Sequence, residues 1–178
     1  CIVLGESTKI PNVEIKSYST EKKVLLAWTK LIQRENPDII IGYNIFGFDY
    51  MFMFNRAKEL NILKDFLKLS KNKNEICGET KNYFTNNVEY KLKESTLKIA
   101  SGTHELKYID MTGRINIDLY NYFRREYNLD SYKLDHVASN FIGDIIKSYE
   151  HIDNNQTHIV SKNLKGLIEE SFIKFEEI

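Results

Sequence analysis

Three consecutive isoleucines at 39–41 run into Gly42-Tyr43-Asn44, and on both sides of them the apolar positions recur with helical spacing. Upstream, Val24, Leu25, Ala27, Trp28, Leu31 and Ile32 predict an amphipathic helix over 21–34, with Ser19 or Thr20 as its N-cap. Asn36-Pro37 ends that helix, because a residue preceding proline avoids the helical region. The run 38–43 then reads as a strand buried on both faces. Gly42 and Gly47 supply backbone freedom for a turn, and apolar side chains at 51, 54, 57 and 60 predict a second helix over 48–60. A weaker edge strand is predicted over 13–18.

Further along, periodicity fades. Residues 64–96 are rich in Lys and Asn and read as an irregular insertion or long loop. Alternation returns over 95–118 as three strands, with Gly102 and Gly113 as turn points. Two more helices are predicted over 119–127 and 132–143, the second closed by Gly143. The tail reads as a hairpin around Asp153-Asn154-Asn155-Gln156 and a short helix near 161–170. Strands alternating with helices point to an α/β fold with parallel-sheet character.

Composition narrows the picture only a little. With 42% hydrophobic residues in 178, the chain can bury one core and is too apolar for disorder. No apolar run reaches the length of a membrane span, and the N-terminus shows no charged segment followed by a cleavage site. Two cysteines, Cys1 and Cys77, make neither a disulfide framework nor a zinc site, which suits a reducing intracellular setting. Twenty-five basic residues balance 25 acidic ones, which argues against a nonspecific DNA coat. A local basic rim remains compatible with that balance. The chain begins at Cys1 without an initiator Met, as expected of a piece of something longer.

The chemistry concentrates in "GYNIFGFDY" (42–50). From position alone, Asp49 reads as a cap for the following helix. The wider pattern changes that. "NPDIIIGYNIFGFDYMFMFNRAKEL" resembles the second exonuclease motif of family B DNA polymerases, in its Asn-Pro-Asp, its Gly-Tyr-Asn, its Phe48-Asp49 and its Asn55-Arg56-Ala57. Downstream, "GRINIDLYNYFRREYNLDSYKLDHVASNFIGD" resembles the same family's strand-and-helix segment with Ser-Tyr-x-Leu and a helix end at Phe141-Ile142-Gly143. Together the two blocks span most of 19–147. The delta-like polymerases, including those of large DNA viruses, are the nearest in pattern.

The resemblance implies a proofreading 3′–5′ exonuclease module on a ribonuclease-H-like α/β fold, within a DNA-directed DNA polymerase. It implies two Mg²⁺ or Mn²⁺ ions held by carboxylates, with Asp49 as one metal ligand and catalytic residue. Asn44 and Phe48 would bind substrate, Asn44 contacting the terminal nucleotide or supporting the carboxylate and Phe48 against the frayed single-stranded 3′ end of DNA; the competing reading of Phe48 is core packing. The family's early Asp-x-Glu is missing, since Glu14 stands alone, and Tyr149…Asp153 matches the later Tyr-x-x-x-Asp only in spacing. The domain is thus expected to be partial over 1–178, with a core at 19–147, an insertion at about 64–96 and an appended 148–178, and to be inactive by itself. The alternative is a degenerate, non-catalytic scaffold contacting DNA or polymerase subunits. Expected partners are DNA and the remaining polymerase domains, with any processivity factor unspecified. The compartment would be the host nucleus or a cytoplasmic viral factory. Asp110, Asp118 and Asp135 read as caps or ion-pair partners; Arg114, Arg124 and Arg125 read as solvated surface, with contact to a phosphate backbone as the alternative.

Overall fold

A computed structural model describes residues 1–82, 84–99, 102–153, 155–162, 167–169, 171–173 and 175. The elements in chain order are β1 (Ile2–Leu4), β2 (Lys16–Tyr18), α1 (Glu21–Glu35), β3 (Ile39–Gly42), a π-helical turn (Ile45–Asp49), α2 (Tyr50–Glu59) and α3 (Leu63–Phe66). There follow β4 (Glu79–Lys81), β5 (Val88–Tyr90), β6 (Lys93–Ile99), β7 (Gly102–Tyr108), β8 (Ile115–Asp118), α4 (Leu119–Glu126), α5 (Leu134–Ile142), β9 (Ile146–His151) and β10 (Thr157–Ser161). They form two compact units, Cys1–Tyr127 and Asn128–Ile178.

In the first unit, α1 forms as its sequence predicts. The Thr20 side chain accepts from the Lys23 N–H at 3.4 Å, and Asn36 closes the helix in the left-handed conformation (φ 45°). Leu25, Ala27 and Thr29 are its buried positions. The Thr29 hydroxyl donates to the Phe66 carbonyl at 2.9 Å, tying α1 to α3, and Trp28 stacks on Phe66 at 5.7 Å between centroids. The core is built from Leu25, Tyr50, Phe54, Ala57, Ile62, Phe66, Leu67, Leu69, Cys77, Ile109 and Met111. Burial pushes the Cys77 thiol up to about 11, as desolvation disfavours its thiolate.

β3 pairs in parallel with β8, placing Ile39 opposite Ile115 and Gly42 opposite Asp118. The two C-terminal strand ends therefore meet, and the turn into α2 emerges beside the start of α4. β1 pairs in parallel with β2, whereas β6–β7 and β4–β5 are antiparallel hairpins.

Three expectations need correction. The isoleucine strand is not buried on both faces: Ile39 and Ile41 are 49% and 58% exposed, since the core covers only the face carrying Ile40. The stretch 64–96 is not simply irregular, for α3, β4, β5 and the start of β6 lie in it and it supplies Phe66, Leu67, Leu69 and Cys77 to the core. Arg114 is buried rather than solvated. Its guanidinium donates to the Leu69 carbonyl at 2.8 Å and to the Pro37 carbonyl, so it joins the loop after α3 to the base of β3.

The second unit holds α5 and the β9–β10 hairpin, whose strands pair antiparallel from Thr157–His151 onward. The expected hairpin is thus present, and α5 ends with the Gly143 N–H donating to the Ser139 carbonyl at 3.1 Å. The helix expected near 161–170 includes residues 163–166 and 170, which lie outside those described. Among the described residues no helix is long and apolar enough to cross a membrane.

Candidate active site

The turn that carries Asp49 is organised by a different aspartate. Asp118 ends β8, is 5% exposed, and caps α4 by accepting from the Tyr120 N–H at 3.0 Å and the Asn121 side-chain amide at 3.1 Å. Its two oxygens also reach across the parallel pair, accepting from the Asn44 N–H at 2.7 Å and the Phe46 N–H at 3.0 Å. One carboxylate therefore satisfies donors of the turn and of the helix start together. A carboxylate accepting several N–H groups gives bonds stronger than neutral pairs.

Asn44 itself adopts the left-handed conformation (φ 59°), which asparagine tolerates better than most residues. Gly42 and Gly47 were expected to supply that backbone freedom, yet neither has positive φ. What they provide is space. A Cβ on Gly47 would stand 2.2 Å from the Asn44 Oδ1, and one on Gly42 would stand 2.3 Å from the Ile45 Cγ2. Aromatic packing completes the anchoring. Phe46 stacks on Tyr108 at 4.7 Å and on Tyr50 at 6.2 Å, while the buried Tyr50 hydroxyl donates to the Asn116 Oδ1 at 2.6 Å. Burial raises the Tyr50 pKa, and the neighbouring Asp118 and Asp49 charges add to it.

Asp49 sits at the junction of the π-helical turn and α2. Its backbone is already helical (φ −63°, ψ −46°), and its side chain makes no capping bond to α2. The cap reading drawn from position alone fails for a geometric reason: the chain is helical before Asp49, so α2 presents no free first turn there. Phe48 is 57% exposed and lies against Phe52, 51% exposed, with the rings 5.8 Å apart and tilted by only 10°. Core packing is therefore not its role. Phe52 was missed in the sequence, although its i,i+4 spacing from Phe48 on a helical segment was the available signal.

On the other side of the turn an open cleft of about 250 Å³ runs between β7 and α4, with Asn44, Gly47, His104 and Arg124 among its walls. Elsewhere, Asp110 pairs with Lys93 at 2.7 Å, Asp135 accepts from the His136 N–H at 2.9 Å, and Arg125 pairs with Glu126. The Tyr149…Asp153 look-alike falls on the exposed β9 hairpin.

Among the described residues, no group of three or more His, Cys, Asp or Glu side chains is placed to hold a metal ion. Asp118, the other carboxylate at this sheet end, is already bonded to N–H donors. The donor set of the described residues does not by itself fit a two-metal centre, which requires several oxygen ligands.

Comparison with known proteins agrees with the geometry. Residues 3–137 match the family model of the DNA polymerase family B exonuclease domain. The chain is 48% identical over 168 residues, 94% of its length, to the DNA polymerase of Phaeocystis pouchetii virus. It is 40% identical over 157 residues, 86% of its length, to that of Pyramimonas orientalis virus. It is 36% identical over 140 residues, 78% of its length, to the DNA polymerase delta catalytic subunit of Plasmodium falciparum. It spans 16% of the first of these curated relatives and 12% of each of the other two. With its paired β3 and β8 ends and the turn they support, the chain belongs to the exonuclease domain of family B DNA polymerases, a family of ribonuclease-H-like α/β fold.

Proposed function

We propose that this chain is part of the proofreading 3′–5′ exonuclease module of a DNA-directed DNA polymerase, acting on a frayed single-stranded 3′ end during replication. Asp49 is one carboxylate ligand and catalytic residue of a site for two Mg²⁺ or Mn²⁺ ions, and Asn44 and Phe48 contact the terminal nucleotide. The observation that carries this reading is the contrast within one turn. Asp118 is saturated with N–H donors, whereas Asp49 makes no capping bond and stands beside the exposed Phe48 ring.

Both compact units belong, on this reading, to one partial domain over 1–178 that lacks the first and last carboxylate motifs of the family. The remaining ligands come from other parts of the polymerase, whose other domains are the chain's natural partners. Because one carboxylate does not hold two divalent ions, no hydrolytic step is assigned to this chain alone. Asp49 supplies a hard oxygen donor at a fixed place, and the aromatic pair offers a face for a base, worth about 1–3 kcal/mol per stacked base.

The test uses Asp49→Asn in the full-length polymerase. The expected result is loss of 3′–5′ exonuclease activity with DNA synthesis retained. Wild-type exonuclease rates in that variant would overturn the reading, and so would metal-dependent nuclease activity from purified 1–178. Retained binding of DNA by a full-length enzyme without exonuclease activity would favour a non-catalytic scaffold.

A further inference from the structure

We propose that the cleft between β7 and α4 receives a phosphodiester of the DNA strand, with Arg124 as its main contact. This deepens the strand-binding reading above and rests on it. The cleft adjoins the Asp49 turn directly, because Asn44 and Gly47 form one of its walls. Thr103 and His104 come from β7, and Asn121 and Arg124 from α4.

Arg124 is preset for an anion. Its guanidinium lies over the Tyr120 ring, 5.2 Å from the centroid, and its Nη2 is 2.7 Å from the His104 Nε2. Stacking on Tyr120 fixes the plane of the guanidinium, and a fixed planar fork loses less entropy on meeting a phosphate than a free side chain would. Since guanidinium has no acceptor, a hydrogen bond between the two has Arg124 donating and the His104 Nε2 accepting. The Asn121 side-chain amide, one N–H of which donates to Asp118, adds a neutral donor. Glu105 is the one acidic residue among those lining the cleft. Strand alternation turns it away from the His104 face, and its charge interacts with Lys107.

A phosphate suits this lining better than a base does. Tyr120, the ring in the cleft, has one face covered by Arg124 and packs at a steep angle to Tyr43 with centroids 5.7 Å apart, so the face toward Arg124 is not open to a base. The exposed rings, Phe48 and Phe52, lie elsewhere on the turn and α2. Bases and backbone of one strand would thus use separate parts of the same turn.

The same phosphate chemistry could come from a strand or from a free mononucleotide, and the assay separates them. The 178-residue chain is titrated against a fluorescein-labelled oligothymidylate in EDTA, followed by anisotropy over a range of salt. Arg124→Gln is expected to weaken binding about three- to tenfold. It should also lower the slope of log K against log salt by about 0.7, the loss of one single-strand phosphate contact. Arg125→Gln, paired with Glu126 outside the cleft, should change neither. As a check independent of any substitution, the His104 and Asn121 amide resonances should shift on adding the oligomer. Unchanged affinity and slope for Arg124→Gln, or unmoved amides, would overturn the proposal. Competition by dTMP as effective as by the oligomer would overturn the strand assignment. The assay does not depend on metal or cleavage. Binding that survives Asp49→Asn but falls with Arg124→Gln supports the cleft even where the nuclease test fails, and the reverse pattern removes the cleft alone.

Discussion

Replacing Asp118 by alanine removes an acceptor shared by four donors: the N–H groups of Asn44, Phe46 and Tyr120 and the side-chain amide of Asn121. Losing the α4 cap alone costs about 1 kcal/mol. The Asn44 and Phe46 donors are partly buried, and leaving each without a partner costs about 1–3 kcal/mol, reduced where water can enter. A total loss of about 3–4 kcal/mol is expected, a large share of the roughly 5–15 kcal/mol that holds a typical domain folded. Asp118→Asn should cost nearly as much, since its amide nitrogen would face N–H groups with a donor of its own. Trp28, the sole tryptophan, stacks on Phe66 in the first unit, so its fluorescence reports that unit's unfolding in urea. With a slope of about 2 kcal/mol/M, the midpoint should fall by about 1.5–2 M. A midpoint within 0.3 M of wild type for Asp118→Ala would refute the view that this carboxylate fixes the turn.

Other perturbations have different signatures. Gly47→Ala should cost about 1–2 kcal/mol in the same titration, because the new Cβ displaces the Asn44 side chain; a neutral result would mean that Asn44 moves freely. Arg114→Met leaves the Leu69 and Pro37 carbonyls unpaired and should cost about 2–3 kcal/mol, against less than about 0.5 for Arg125→Met on the surface. Phe48→Ala should leave the midpoint almost unmoved, as the ring is 57% exposed, while weakening oligothymidylate binding by about 1–2 kcal/mol; the opposite pattern would make it a packing residue. Glu21 is held below its usual carboxylate pKa, first by its hydrogen bond to Arg56. A folded-state pKa below the unfolded value means that its contribution is complete above about pH 4.5 and fades as pH falls through the folded value. The stability gap between wild type and Glu21→Gln should therefore narrow below pH 4.5, and a gap constant from pH 6 to 3 would contradict it.

What the sequence disclosed depended on the range of the interaction. The α1 helix was legible because its cap and its apolar spacing are local, and the capping role of Asp118 was legible from its place just before a helix. Its bonds to Asn44 and Phe46 were not, because they cross 74 and 72 residues and exist only once β3 and β8 pair in register. Hydropathy also misjudged β3: three isoleucines in a row state that a strand is apolar, but not what covers each face. Arg114 failed in the opposite sense. Nothing near it in the chain signals that two distant carbonyls will converge on its guanidinium. The turn's π-helical winding is similarly non-local, since it follows from anchoring Phe46 between Tyr108 and Tyr50 while Asp118 holds the Asn44 end.

These constraints bear on why two aspartates at one sheet end do unlike work. Asp118 closes a strand and faces free N–H groups from three residues, so its charge is spent on geometry, and a cation competing for it would have to break that network. Asp49 ends the π-helical turn, where the chain has already become helical and the next N–H, that of Tyr50, donates to the Ile45 carbonyl. Its carboxylate gains nothing by capping and stays available at a position that Asp118 has fixed. Exchanging the two roles is not feasible by exchanging side chains, because both positions are already aspartate; the backbone around each decides. A loosened turn should consequently lower metal-dependent function even with Asp49 intact. In the full-length polymerase, Asp118→Asn is expected to lose exonuclease activity while retaining DNA synthesis, and raising the concentration of Mn²⁺ should recover part of that loss but none of the loss in Asp49→Asn. Equal recovery in both variants would mean that Asp49 is not a ligand, and no recovery in either would mean that Asp118 acts on the reaction directly rather than through the turn.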